Sequence, residues 1–120
     1  MKVAIVGSRN YSDYSFFKQK VDEILKWPKL LDDEGFTIIS GGARGVDQLA
    51  KIYAMEKGYP FEEYKPDYVI FGEKAPLIRN RQIVEECDMV IAFPTKESRG
   101  TWHVINLARK AGKTVVVIKV

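Results

Sequence analysis

The segment SGGARGVD, residues 40–47, combines residue types that can bind an anion. Gly41 and Gly42 let backbone N–H groups approach a ligand, and the start of the following helix adds positive potential. Arg44 offers a guanidinium, which suits phosphate and carboxylate groups. Asp47 falls in the first turns of that helix, where it is either a carboxylate facing the ligand or one that stabilises the helix dipole. The segment is therefore a phosphate cradle, a catalytic loop or a plain tight turn.

A second segment with such groups is GSRNYSD, residues 7–13. Gly7 permits a tight turn, Ser8 offers a hydroxyl, and Arg9 places a guanidinium at the start of the first predicted helix. The alternative interpretation is a turn followed by a helix cap. The segment does not match GxGxxG, so the usual dinucleotide fingerprint is absent.

Two further segments, RNR at residues 79–81 and PTKESRGT at residues 94–101, carry groups of the same kind. Because the residues of RNR are consecutive on a predicted helix, they cannot all face one ligand, and at least one is a solvated surface charge. Gly100 and Thr101 begin the last predicted helix and add a hydroxyl for a phosphate oxygen. His103 either reaches the same pocket or packs at its rim.

These segments lie between elements that alternate regularly along the chain. Strands are predicted from short runs rich in β-branched and aromatic residues, at residues 3–6, 36–40, 61–64, 89–93 and 114–119. Helices are predicted between them. Alternating strands and helices indicate right-handed βαβ units and a parallel sheet with helices on both faces. In such sheets ligands bind at the carboxyl ends of the strands, where the four segments fall.

The spacing of apolar residues predicts where the helices lie. One stripe runs along residues 43–57, and another, from Phe17 to Leu25, is predicted to end where Pro28 interrupts the helix before a last short turn. A third helix follows Pro76, and the fourth covers residues 101–111.

Composition sets further limits on the function. With 120 residues the chain is expected to be one domain, and its net charge of +3 is too small for a non-specific DNA-coating protein. One cysteine and one histidine predict no zinc site of the usual spacing, and neither a metal nor a cofactor is expected. No apolar stretch reaches membrane-spanning length and no signal-peptide core is present, so no membrane partner and a cytoplasmic location are expected.

The ordered set of segments resembles the SLOG superfamily, and most closely its small YspA-like branch. The resemblance rests on GSR (7–9), SGGARGVD (40–47), IRN (78–80) and DMVIAF (88–93), with KPDY (65–68) in place of the usual Ala-Asp-Trp. It implies a single Rossmann-like three-layer α/β domain over residues 1–120, with a mainly parallel five-stranded sheet. It also implies a sensor or binder of a nucleotide or nucleotide-derived small molecule, with a homodimer left open. The expected ligand-binding residues are Gly7, Ser8, Arg9, Ser40, Gly41, Gly42, Arg44, Gly45, Asp47, Arg79, Asn80, Pro94, Gly100 and Thr101.

Two related families suggest rival functions. The LOG-type phosphoribohydrolases carry PGGxGTxxE, whose glutamate belongs to the site that cleaves an N-glycosidic bond. Here Val104 falls where that glutamate would be, and the catalytic candidates left are Asp47 and Asp67, with Glu97 as a further carboxylate. No paired-carboxylate spacing supports them.

The DprA/Smf family, which binds single-stranded DNA, is similar through SG-A-G-D and RNR. On this interpretation the chain's arginines track a phosphodiester backbone while Tyr11 or Trp102 stacks on bases. The arginines concerned are Arg44, Arg79, Arg81 and Arg99.

Overall fold

The computed structural model describes residues 1–31 and 34–120 and contains one five-stranded sheet. The strands are β1 (Lys2–Gly7), β2 (Thr37–Ser40), β3 (Phe61–Glu63), β4 (Met89–Phe93) and β5 (Thr114–Val117). Their order is β3-β2-β1-β4-β5, and all four pairings are parallel. The predicted α/β fold is confirmed, and the sheet is wholly parallel.

Helices cover both faces of this sheet. They are α1 (Tyr14–Leu31), α2 (Val46–Lys57), the short α3 (Tyr68–Phe71), α4 (Ala75–Glu86) and α5 (Arg99–Lys110), with a 3₁₀ turn at Gly72–Lys74 between α3 and α4. Side chains alternate along each strand, so Val3 and Ile5 pack against α1 and α2, while Ala4 and Val6 pack against α4 and α5. None of the described helices has the length and apolar character needed to cross a bilayer.

The direction of the chain reverses around β1. The chain passes from β1 to β2 and β3 on one side, then returns to β4 on the other side of β1. The last residue of β1, Gly7, pairs with Phe93 at the end of β4. Because the connections after these two neighbouring strands leave in opposite directions, a crevice forms at their carboxyl ends.

The predicted interruption at Pro28 is wrong, because α1 continues through Pro28 to Leu31. A proline removes one helical hydrogen bond, yet its fixed φ of about −65° is itself a helical value. The helix can therefore continue for one more turn near its end.

Two helices begin later than predicted. Asp13 caps α1, because its Oδ1 accepts a hydrogen bond from the Phe16 N–H at 3.2 Å. Arg9 consequently lies in the preceding loop, four residues before that cap. α2 begins at Val46 because the φ of 76° at Gly45 is not helical, so the helix cannot extend back past this residue. α3 was not predicted, since four residues are too few to show helical periodicity.

Gly7 is packed too closely to carry a side chain. A β-carbon there would lie 2.6 Å from the Phe93 carbonyl oxygen and 2.7 Å from Val46 Cγ2. We expect Gly7→Ala to lower the free energy of unfolding by about 1 to 3 kcal/mol through overpacking, measured by equilibrium urea denaturation.

Gly100→Ala is the matched control. A β-carbon at Gly100 meets no atom within 4 Å, and the residue lies in the first turn of α5. This substitution is expected to leave the free energy of unfolding unchanged or to raise it by up to about 1 kcal/mol. Equal losses in the two variants would contradict the packing argument.

Candidate functional site

A cleft of about 370 Å³ opens at the carboxyl ends of β1, β2 and β4. Its walls come from the loops after those strands, from α4 and from the start of α5. The predicted site residues that line this first cleft are Gly7, Ser8, Arg9, Gly41, Asp47, Arg79, Asn80, Gly100 and Thr101. The structure thus brings together residues from four separate segments of the sequence.

The other predicted residues lie elsewhere. Gly42 and Arg44 line a second cleft of about 440 Å³ beside the first. The predicted residues that line neither cleft are Ser40, Gly45, Pro94 and Asp67. Asp67 caps α3 instead, because its Oδ1 accepts a hydrogen bond from the Ile70 N–H at 3.1 Å.

Asp47 is a buried carboxylate in the wall of the first cleft, with 7% of its surface exposed. Its Oδ2 accepts a hydrogen bond from the Ala43 N–H at 3.0 Å, and the Ser40 side chain acts to lower its pKa. Burial raises the pKa of Asp47 to about 6, although the hydrogen bond from Ala43 and the charges of Arg79 and Arg9 act in the opposite direction. The hydrogen bond from the Ala43 N–H to Asp47 joins the loop that precedes α2 to the first turn of that helix.

Two backbone amides of this loop, those of Gly42 and Ala43, are bonded within the protein. The Gly42 N–H donates to Ser40 Oγ at 3.5 Å, and the Ala43 N–H donates to Asp47. The sequence predicts instead that amides at the two glycines face a phosphate. A β-carbon at Gly41 would lie 2.6 Å from Arg79 Nη1.

Arg79 and Asn80 connect three of the elements around the cleft. Arg79 donates from Nη1 to the Gly41 carbonyl oxygen and from Nε to Asn80 Oδ1, both at 2.9 Å. Asn80 in turn donates from Nδ2 to His103 Nδ1 at 3.0 Å and, at 3.5 Å, to the Gly100 carbonyl oxygen. Because Asn80 is buried, this network fixes the loop after β2 relative to α4 and α5.

His103 lies outside the lining of the first cleft and contacts it through Asn80. Burial lowers the pKa of His103, and the positive charge of Arg81 lowers it further. The ring is therefore neutral at pH 7 and can accept the amide hydrogen of Asn80 at Nδ1. The histidine therefore positions Asn80, a residue of the cleft.

The start of α5 provides unpaired amide donors. The N–H groups of Arg99 and Trp102 donate to carbonyl oxygens of the preceding turn, at 2.8 and 3.0 Å. Within the described part of the chain, no protein acceptor serves the N–H groups of Gly100 and Thr101, and both residues line the cleft. Together with the helix dipole they favour an anion at this end of the cleft.

Carboxylates are few in the first cleft. Among the described residues of its lining, only Asp47 and Glu97 carry one, and Val104 lines it at the position where the hydrolase resemblance would require a glutamate. Across residues 1–31 and 34–120 no three His, Cys, Asp or Glu side chains are grouped closely enough to hold a metal ion.

Sequence reasoning missed some residues of both clefts. Thr95 and Ser98 line the first cleft, and the Thr95 N–H donates to Ser98 Oγ at 3.0 Å. Their position in the loop after β4, where the site was expected, could have identified them from the sequence. Pro66, Tyr68 and Pro76 line the second cleft. Pro66 and Tyr68 belong to the KPDY segment, for which no binding role was predicted from the sequence.

A family model matches residues 1–69 of the chain, and it is that of the YspA, cpYpsA-related SLOG family. The chain belongs to this SLOG family. A relative of this SLOG chain, Gene 61 protein of Mycobacterium phage D29, is 33% identical over 122 residues, which cover 96% of the chain and 94% of the relative.

Several solved structures are similar to this SLOG chain. The DNA processing protein DprA from Streptococcus pneumoniae matches with a TM-score of 0.73 and 21% identity over 97% of the chain, which spans only 49% of that protein. DprA from Helicobacter pylori, solved for its single-stranded DNA binding mode, matches with a TM-score of 0.68 and 26% identity, covering 98% of the chain and 64% of that protein. The structure of TM1055 matches with a TM-score of 0.64 and 24% identity, covering 95% and 71%.

Asp47 makes a testable contribution to the pH dependence of stability. Its pKa rises from 3.8 to about 6 on folding, so the folded state binds more protons than the unfolded state between these values. Stability from this group is therefore lost as the pH rises from 4 to 7, by up to about 3 kcal/mol.

Asp47→Asn removes this titration and keeps a side-chain oxygen for the Ala43 N–H. We expect the wild type to lose stability relative to the variant between pH 4 and pH 7, as measured by urea denaturation at each pH. If the difference between the two proteins is the same at both pH values, Asp47 does not titrate in this range.

Proposed function

We propose that this chain binds a nucleotide or nucleotide-derived small molecule, with a phosphate group in the first cleft. The observation that carries the proposal is the convergence of Arg9, Arg79 and the start of α5 on one cleft. Guanidinium groups and the first turn of a helix both favour phosphate, and here they come from separate segments of the chain.

The charge of the cleft supports an anionic ligand. Three arginines line it, Arg9, Arg79 and Arg99, against the carboxylates of Asp47 and Glu97. Asp47 is already hydrogen-bonded within the protein, and burial raises its pKa to about 6. Part of the arginine charge therefore remains for a ligand. The volume of about 370 Å³ falls among those of small-molecule sites.

A binding role is favoured over hydrolysis of an N-glycosidic bond. Such a reaction commonly uses two carboxylates at a defined separation. Asp67 lies outside the cleft as a helix cap, and Val104 stands where the hydrolase motif has its glutamate. Asp47 is then the one buried acid in the lining, and its hydrogen bonds indicate a structural role.

Single-stranded DNA is the second candidate ligand. DprA of Helicobacter pylori binds single-stranded DNA and shares this fold. In this chain Arg44 extends the positive surface from the first cleft into the second. A phosphodiester backbone crossing both clefts would contact arginines along its path.

Arg9→Met tests the proposal at a residue that lines both clefts and is exposed to solvent. We expect it to weaken the binding of nucleoside monophosphates by roughly tenfold to 150-fold, because a hydrogen bond to a charged group contributes about 1.5 to 3 kcal/mol. Isothermal titration calorimetry with AMP, GMP, CMP, UMP and a dT decamer measures the effect.

Arg81→Met is the matched control, since Arg81 is exposed on α4 and lines neither cleft. It should bind each compound as the wild type does. If no mononucleotide binds while the decamer binds in a salt-sensitive manner, the function is DNA binding instead. Equal losses in both variants would mean that only general positive charge matters.

A further inference from the structure

The second cleft has a chemical character of its own. It lies between the loop after β2 and the segment that includes α3 and the start of α4, with a volume of about 440 Å³. Its described lining residues are Arg9, Gly41, Gly42, Ala43, Arg44, Pro66, Tyr68, Pro76 and Arg79. Three arginines and one aromatic ring are thus gathered in one concave surface.

The two clefts are continuous. Arg9, Gly41, Ala43 and Arg79 line both of them, so these residues form a shared wall. Arg79 is held in that wall by its hydrogen bond to the Gly41 carbonyl oxygen. A phosphate lying at the wall would be near two guanidinium groups. The rest of the ligand that carries this phosphate would then extend into both clefts.

The second cleft is more positive than the first. No carboxylate occurs among its described lining residues. Two acids lie nearby: Asp47, whose charge acts on Arg9 and Arg79 from outside the lining, and Glu63, which forms an ion pair with Lys65 at 3.4 Å. The charges of Arg9, Arg44 and Arg79 are therefore not neutralised by an acid within the lining.

Tyr68 presents an aromatic ring beside these charges. It is 60% exposed, although large aromatic side chains usually gain stability from burial. The cap by Asp67 stabilises the single turn of α3, and Pro66 and Pro76 also line the cleft. An exposed ring next to arginines is the arrangement on which nucleobases stack in single-strand binding sites.

We infer that the second cleft is a subsite for the second nucleoside of a ligand in which two nucleosides are joined through phosphate. The linking phosphate lies at the wall formed by Arg9 and Arg79, and the second base stacks on Tyr68. This inference rests on the proposed function of the first cleft. A free dinucleotide and a stretch of single-stranded nucleic acid share this chemistry.

The test compares Tyr68→Ala, Tyr68→Phe and Val69→Ala in calorimetric titrations. The probes are the mononucleotide that binds best among AMP, GMP, CMP and UMP, its 5′-phosphorylated dinucleotide, and the ten-residue homopolymer of the same base. Val69 is the matched control, because it is adjacent on α3, is 97% exposed and lies outside the cleft lining.

We expect Tyr68→Ala to weaken binding of the dinucleotide by roughly 5-fold to 150-fold, because one stacked aromatic contact is removed. The mononucleotide should bind as before, since Tyr68 does not line the first cleft. Tyr68→Phe should keep the dinucleotide affinity because the ring is retained, and Val69→Ala should change nothing. A loss seen with the homopolymer alone would assign the subsite to a nucleic-acid strand.

Two results would overturn the inference, and they are distinct. If Arg9→Met weakens binding of the dinucleotide while Tyr68→Ala leaves binding of both the dinucleotide and the homopolymer unchanged, the first cleft binds the ligand and the second takes no part. If none of the probes binds the wild type, both the subsite and the proposed function are wrong.

Discussion

The geometry of both clefts depends on the buried carboxylate of Asp47. It accepts a hydrogen bond from the Ala43 N–H, which constrains the loop between β2 and α2. Its charge also lies near Arg79, whose guanidinium is fixed by the Gly41 carbonyl oxygen and by Asn80. Since Arg79 belongs to the wall that the clefts share, the loop and the wall are positioned together.

Burying this carboxylate has a cost that its neighbours only partly offset. Burial raises the pKa of Asp47, while the amide and the nearby guanidinium groups act to lower it. A plain turn between a strand and a helix needs no buried acid, so the Asp47 carboxylate is an additional constraint on this loop. The same argument applies to Asn80, whose buried amide has a partner on each side.

Most of the fold could be predicted from the sequence, because strands and helices leave different patterns of apolar residues along the chain. The buried strands are continuous apolar runs, and α1 and α2 carry clear apolar stripes, so the alternation of strand and helix could be predicted. The continuation of α1 through Pro28 was not, since a proline is compatible with helical dihedral angles even where it removes a hydrogen bond. The short α3 was missed because its single turn is stabilised by the cap at Asp67.

By itself, the sequence determined a parallel α/β sheet, the edge of that sheet where polar groups collect, and the SLOG family. Glycines, arginines and hydroxyls after apolar runs suffice for this, because they are local patterns. Only the tertiary structure decided which of these groups share a cleft. It placed Arg44 apart from Gly100 and Thr101, gave Asp67 a role as a cap, and brought Tyr68 to the shared arginines. The physical reason is that loop direction depends on contacts between distant segments, such as the hydrogen bond from Arg79 to Gly41, which leave no periodic trace in the sequence.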